Sequence, residues 1–110
     1  MINFKEKQPM RILSYFFKSH KNEIKDFIKR GAVIIDVRTE REWNKGHLPN
    51  AILIPLSDLK NHIEEIKLIK KPVIAYCKSG ARSARATKLL KFYKIEAING
   101  GGYAYLSRLL

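Results

Sequence analysis

The segment Cys77-Lys78-Ser79-Gly80-Ala81-Arg82-Ser83 joins residue types that together can do chemistry. It follows the apolar run Pro72-Val73-Ile74-Ala75-Tyr76 and precedes a stretch with helical spacing. A tight loop in that position can turn successive backbone N–H groups inward as a nest for negative charge. The start of the following helix adds partial positive charge, and Lys78, Arg82 and Arg85 supply cations close in sequence. All three effects favour thiolate over thiol, so Cys77 is expected to ionise below the ordinary cysteine value of about 8.5. A thiolate so held is a nucleophile and can seat a second negatively charged atom. Gly80 permits the tight turn, and Ser83 is expected to cap the helix.

The elements that must carry this loop are legible as alternating patterns. Residues 22–30 place Ile24, Phe27 and Ile28 at helical spacing, with Gly31 at the C-terminal cap position. Ala32-Val33-Ile34-Ile35-Asp36-Val37 is an apolar, β-branched run without alternation, as in a strand covered on both faces. Thr39 with Glu42 forms a capping-box pattern for a short helix that must stop near Gly46. Residues 51–54 read as a short strand. Ser57 is expected to cap a helix reaching about residue 70, burying Leu59, Ile63, Ile66 and Ile69. Residues 72–76 form a second buried strand, 83–94 a helix, and 95–98 a last strand before a Gly100-Gly101-Gly102 turn. The helix over 83–94 should bury Ala86, Leu89, Leu90 and Tyr93 and turn Arg85, Lys88 and Lys91 to water. This alternation implies an α/β fold with a mostly parallel central sheet of about four to five strands and helices on both faces. Ligands of such sheets bind beyond the carboxyl ends of the strands, where Cys77 falls.

The four segments that follow one another along the chain resemble the rhodanese-like family of single-domain sulfurtransferases. They are Ile35-Asp36-Val37-Arg38-Thr39 with Glu42-Trp43, then Gly46-His47-Leu48-Pro49-Asn50-Ala51, then the cysteine loop, and last Asn99-Gly100-Gly101-Gly102-Tyr103. The likeness covers about residues 22–106. Asn50 stands where the family often has Gly, and Tyr105 where Trp is common. The resemblance implies that Cys77 takes the outer sulfur of thiosulfate as a persulfide, releases sulfite, and passes the sulfur to cyanide or a thiol. It implies that the backbone from Lys78 through Ser79, Gly80, Ala81, Arg82 and Ser83 holds the substrate. Lys78 is the candidate for steering the dianion, and Arg82 for bracing the loop against Asp36 or Glu42. Asp36, Arg38, Glu42 and His47 are expected to support the site.

Composition narrows the alternatives. The chain has 110 residues, enough for one domain, with 22 Lys and Arg against 10 Asp and Glu and a formal charge of +12. That excess invites an anionic partner. The basic residues are scattered without aromatic interleaving, so a small anion is expected rather than nucleic acid. The single cysteine excludes an internal disulfide and suits a reducing, cytoplasmic setting. Ile12-Leu13-Ser14-Tyr15-Phe16-Phe17 falls far short of the roughly 20 residues needed to span a membrane. It reads as an aromatic edge packed onto the domain, and no membrane partner is expected. Residues 1–19 read as an extension of open role and 20–110 as the domain. His47 suits a structural hydrogen bond, and His20 and His62 show no evident partners. Neither metal nor cofactor is expected beyond the covalent persulfide.

Two other classes share the pattern. Phosphatases of similar fold resemble Cys-x5-Arg, one residue longer than the spacing from Cys77 to Arg82. Binding modules on the fold typically lack the cysteine, and a persulfide carrier serving a partner protein would keep it.

Overall fold

The computed structural model describes residues 8–110, with side chains from Ile12 onward. Four strands, β1 (Val33–Asp36), β2 (Ile52–Leu53), β3 (Val73–Cys77) and β4 (Ala97–Gly102), pair in the order β2-β1-β3-β4, all parallel. Helices cover both faces: α1 (Gln8–Lys29), α2 (Glu40–Asn44), α3 (Ile63–Ile69), α4 (Ala81–Phe92) and α5 (Tyr103–Ser107), with a 3-10 helix at Leu56–His62.

The central strand β3 is buried along its whole length, and its period of two divides the core. Val73, Ala75 and Cys77 pack with Leu59, Ile63, Ile66, Ala86 and Leu90 from the 3-10 helix, α3 and α4. Ile74 and Tyr76 face the other way, against Ile24 and Phe27 of α1 and Leu106 of α5. The chain leaves β1 for β2 on one side and returns to β3 on the other. A crevice therefore opens beyond the carboxyl ends of β1 and β3. Asp36–Arg38 leaves one strand there and the cysteine loop leaves the other.

Several local expectations are corrected. α1 begins at Gln8 rather than near residue 22 and runs through the expected boundary at residue 19. The stripe Leu13, Phe17, His20, Ile24, Phe27 keeps helical spacing throughout, and Pro9 sits in the first turn, where its missing N–H breaks no bond. Residues 1–7 of the expected extension lie outside the described residues. The aromatic edge is not packed: Tyr15 is 69%, Phe16 61% and Phe17 72% exposed. The first half of α1 runs past the sheet, which leaves its stripe without a covering layer.

The expected helix from Ser57 divides into the 3-10 helix and α3. Pro55 starts it, its carbonyl accepting the Asp58 N–H at 2.8 Å, and Ser57 makes no cap bond. Ile69 is exposed because α3 ends at Lys70 in a left-handed conformation. Gly80, at φ +100°, precedes α4, which starts two residues earlier than expected. Ser83 is therefore inside the helix and buried, not at its cap. The triple glycine continues β4 instead of forming a separate turn. A Cβ at Gly100 would stand 2.7 Å from Ile74 Cγ2 and 3.0 Å from Leu106 Cδ2, so only glycine lets α5 settle there.

Candidate active site

Cys77 ends β3 beside Gly102 of β4, and its side chain is 1% exposed. The loop turns back over the sulfur. The Gly80 N–H donates to Sγ at 3.0 Å and the Ser83 N–H at 3.4 Å, with the Ser83 hydroxyl 3.3 Å away. Burial pushes the Cys77 thiol up, but the Ser83 hydroxyl and the N–H groups of Ser83, Gly80 and Ser79 outweigh it. The thiol is left below its ordinary value. Hydrogen bonds thus supply the lowering that the sequence ascribed partly to nearby cations.

Ser83 Oγ also lies 2.6 Å from Asn99 Oδ1. A hydroxyl has one proton to give. While Cys77 is a thiol, its S–H can donate to Ser83 as Ser83 donates to Asn99. When the thiolate forms, the same hydroxyl can turn its proton to sulfur. Asn99 further accepts the Gly101 N–H at 2.9 Å and donates Nδ2 to the Gly80 carbonyl at 3.0 Å. One side chain therefore ties β4 to the middle of the loop at Gly80 and to its end at Ser83. His20 Nε2 of α1 lies 2.9 Å from the Asn99 carbonyl oxygen. The sequence placed Asn99 only within a glycine motif and left His20 without a partner. Neither bond had a local signal, since their partners lie far along the chain.

Arg82 does not point to the sulfur. Its guanidinium grips Glu42 with two bonds, of 2.6 and 2.9 Å, which settles the choice between Asp36 and Glu42. The Arg82 bonds hold the Glu42 carboxyl down to about 2, helped by the Thr39 N–H of the capping box. Asp36 is fully buried and takes Nε and Nη2 of Arg38 at 2.7–3.1 Å. Arg38 also donates to the Gly46 carbonyl at 2.8 Å and lies over the Tyr76 and Tyr103 rings. His47 stacks on Trp43 with ring centroids 3.5 Å apart, and its Nδ1 lies 3.1 Å from the Trp43 carbonyl oxygen. It shapes the segment after α2 and does not approach the sulfur. His62, expected to be unpartnered, lies between Asp58 and Glu65.

Of the basic residues near the loop, Arg82 is neutralised by Glu42, whereas Lys78 and Arg85 are exposed. Lys78 borders a groove with Arg38, Glu42, Lys45, Gly46 and Tyr103, on one side of the loop. Ser79 borders a second groove on the other side. Among the described residues no cluster of His, Cys, Asp or Glu has metal-binding geometry, and no helix is long and apolar enough to cross a membrane.

This geometry coincides with a match to the family model described as rhodanese-like domain, over residues 20–108. The chain belongs to the rhodanese-like domain family. An uncharacterized protein of Bacillus subtilis, YqhL, is 45% identical over 62 residues, 56% of this chain and 48% of its own. A tRNA sulfurtransferase of Thermoplasma acidophilum is 34% identical over 74 residues, 67% of this chain and 15% of its own. The chain thus spans half or less of the curated relatives it matches. A rhodanese from E. coli solved with anions superimposes with a TM-score of 0.63 at 30% identity, covering 67% of this chain and 89% of the other. The family match leaves the first three turns of α1 outside it.

Proposed function

We propose that this rhodanese-like domain is a sulfurtransferase that carries sulfane sulfur as a persulfide on Cys77. The observation that carries the reading is the sulfur's own environment: two backbone N–H groups and a hydroxyl directed at one buried cysteine at a strand end. The preferred donor is thiosulfate. The Cys77 thiolate attacks its outer sulfur, the S–S bond breaks, and the bonding pair leaves with sulfite. A persulfide anion remains on Cys77. A thiophilic acceptor, cyanide or a thiol, then attacks the outer persulfide sulfur and Cys77 departs as thiolate. Charge sits on sulfur in both halves, and the loop's fixed donors meet it without rearrangement. Losing one such donor costs roughly 3 kcal/mol of transition-state stabilisation.

With the thiolate already favoured, no general base is required, and the covalent persulfide takes the place of a cofactor. Lys78, exposed beside the loop, draws the dianion in. Ser79, Gly80 and Ala81 contribute backbone, while Arg82 holds the loop to α2 through Glu42. The four residues between Cys77 and Arg82 make a ring suited to one sulfur atom rather than to a tetrahedral phosphate. The single free cysteine is consistent with a reducing, cytoplasmic setting.

The test is to incubate the protein with thiosulfate, then measure intact mass and sulfite. One sulfur atom gained, sulfite released and thiocyanate formed on adding cyanide are expected. Cys77→Ser should abolish all three. If the wild type gains no sulfur from thiosulfate and forms no thiocyanate, the thiosulfate reading fails. Loading from a protein persulfide in that case would mark a carrier.

A further inference from the structure

The first half of α1 runs past the sheet and leaves Leu13, Tyr15, Phe16 and Phe17 more than half exposed. Four large apolar side chains open to water within a turn and a half of helix form a patch of the kind that marks an interaction surface. All four precede residue 20, where the family match begins, so the family fold does not account for them.

Their order around the helix narrows the kind of partner. At about 100° per residue, Tyr15, Phe16 and Phe17 point to three sides of the helix. Ser14, Lys18, Lys21 and Lys25 fall on one narrow strip of the remaining side. A protein face covers one stripe of a helix and would leave part of this apolar arc in water. A lipid layer receives the whole arc and leaves the lysine strip at its surface. Charge points the same way. Residues 8–22 contain Arg11, Lys18 and Lys21 and no acid. The first acids of α1 are Glu23 and Asp26, and Asp26 is paired with Arg30. Lys18 and Lys21 are exposed and make no ion pair among the described residues. Lys78 is exposed next to Ser79, across the groove from Phe17 and Lys18. This end of the molecule is therefore apolar and positive, the complement of anionic headgroups over acyl chains. A second copy fits it poorly, because pairing would bring the same lysines together on two chains of charge +12.

We propose that the first half of α1 docks this domain on the surface of an anionic lipid bilayer. Leu13, Phe16 and Phe17 enter the acyl chains, Tyr15 lies at their border, and Lys18 and Lys21 meet the headgroups. The attachment is to the surface, since no helix among the described residues is long and apolar enough to cross a membrane. The expectation of no membrane partner took the aromatic edge as packed, and that edge is open. Docking is independent of the persulfide reading of Cys77.

The experiment floats the full chain with vesicles of phosphatidylcholine, either alone or with about one-third phosphatidylglycerol. At low salt the wild type is expected on the anionic vesicles and not on the neutral ones. Binding should fall several-fold at about 1 M salt, where charges are screened beyond about 3 Å. Phe16→Ser with Phe17→Ser should weaken binding to anionic vesicles by more than about tenfold. Lys18→Gln with Lys21→Gln should weaken it by about tenfold. Both pairs alter exposed side chains, so an unchanged melting temperature is expected and lost binding is not lost folding. In Phe16→Trp, the emission in excess of the wild-type Trp43 signal should shift to the blue on anionic vesicles. No flotation, or equal flotation with both compositions, would overturn the proposal. So would flotation indifferent to the Phe16 and Phe17 pair with no blue shift, since charge alone would then adsorb the chain. A lipid-free dimer that the same pair of substitutions dissociates, with no flotation, would overturn it and assign the face to a second copy.

Discussion

At the scale of residues, the environment of Cys77 makes a directional claim. Its thiol lies below the ordinary value because hydrogen bonds to the sulfur outweigh burial. Alkylation by iodoacetamide, followed against pH, should therefore rise to its plateau with a midpoint below about 8.5. Ser83→Ala removes the hydroxyl that turns toward the sulfur, destabilises the thiolate, and should move that midpoint upward. Alkylation at pH 7 should slow accordingly. A midpoint unmoved by Ser83→Ala would mean that the backbone donors alone hold the thiolate. Asn99 acts one step further out. Asn99→Ala leaves the Gly80 carbonyl and Gly101 N–H without their side-chain partner, a loss of about 1–3 kcal/mol. Chemical denaturation should show that loss, together with slower sulfur loading of the folded fraction.

At the scale of elements, the cysteine loop depends on two contacts that reach across the fold. The Arg82–Glu42 pair joins the first turn of α4 to the capping box of α2. Glu42 has its carboxyl lowered from the ordinary 4.5 to about 2 in the folded chain. Its contribution to stability is present above the unfolded value and is lost as pH falls from about 5 through about 2. Glu42→Gln should therefore be less stable than the wild type at pH 7, and the gap should close on acidification. Both side chains are partly solvated, so a modest difference of about 1 kcal/mol is expected from urea melts at pH 7. A gap that widens on acidification would contradict the pairing. The second contact is the close approach of β4. A Cβ at Gly102 would meet the Lys78 carbonyl oxygen and stand 3.1 Å from its carbonyl carbon, both backbone atoms that cannot swing aside. Gly102→Ala should push the loop from the sulfur and reduce sulfur loading more than tenfold, even where the variant folds.

At the scale of the whole molecule, the charge of +12 divides into local and diffuse parts. Arg38 and Arg82 are consumed by Asp36 and Glu42 beside the site. Lys78 remains on one side of the loop, with Lys18 and Lys21 on the other. The rest form a positive field that raises encounter with anions and is screened over about 10 Å at 0.1 M salt. The rate of persulfide formation from thiosulfate at low substrate should fall several-fold between low and high ionic strength. Transfer from the loaded protein to an uncharged thiol should change little. Equal salt dependence of both steps would remove steering as the explanation.

The cysteine loop, the capping box at Thr39 and the alternating strands were legible because each is a local pattern of residue type and spacing. Those patterns also carried the fold class and the position of the cysteine proposed as nucleophile. The roles of Ser83, Asn99 and His20 were not legible. Ser83 reads as a cap until Gly80, at a positive φ, starts the helix early and turns Ser83 onto the sulfur. Asn99 and His20 stand 79 residues apart, and only the closing of β4 against α1 makes them neighbours. The length of α1 shows the same division. Its apolar stripe is written in the sequence, but whether Phe17 is buried or exposed depends on where the sheet beneath the helix ends. Periodicity sets which way a side chain points; only tertiary packing decides what, if anything, lies there to meet it.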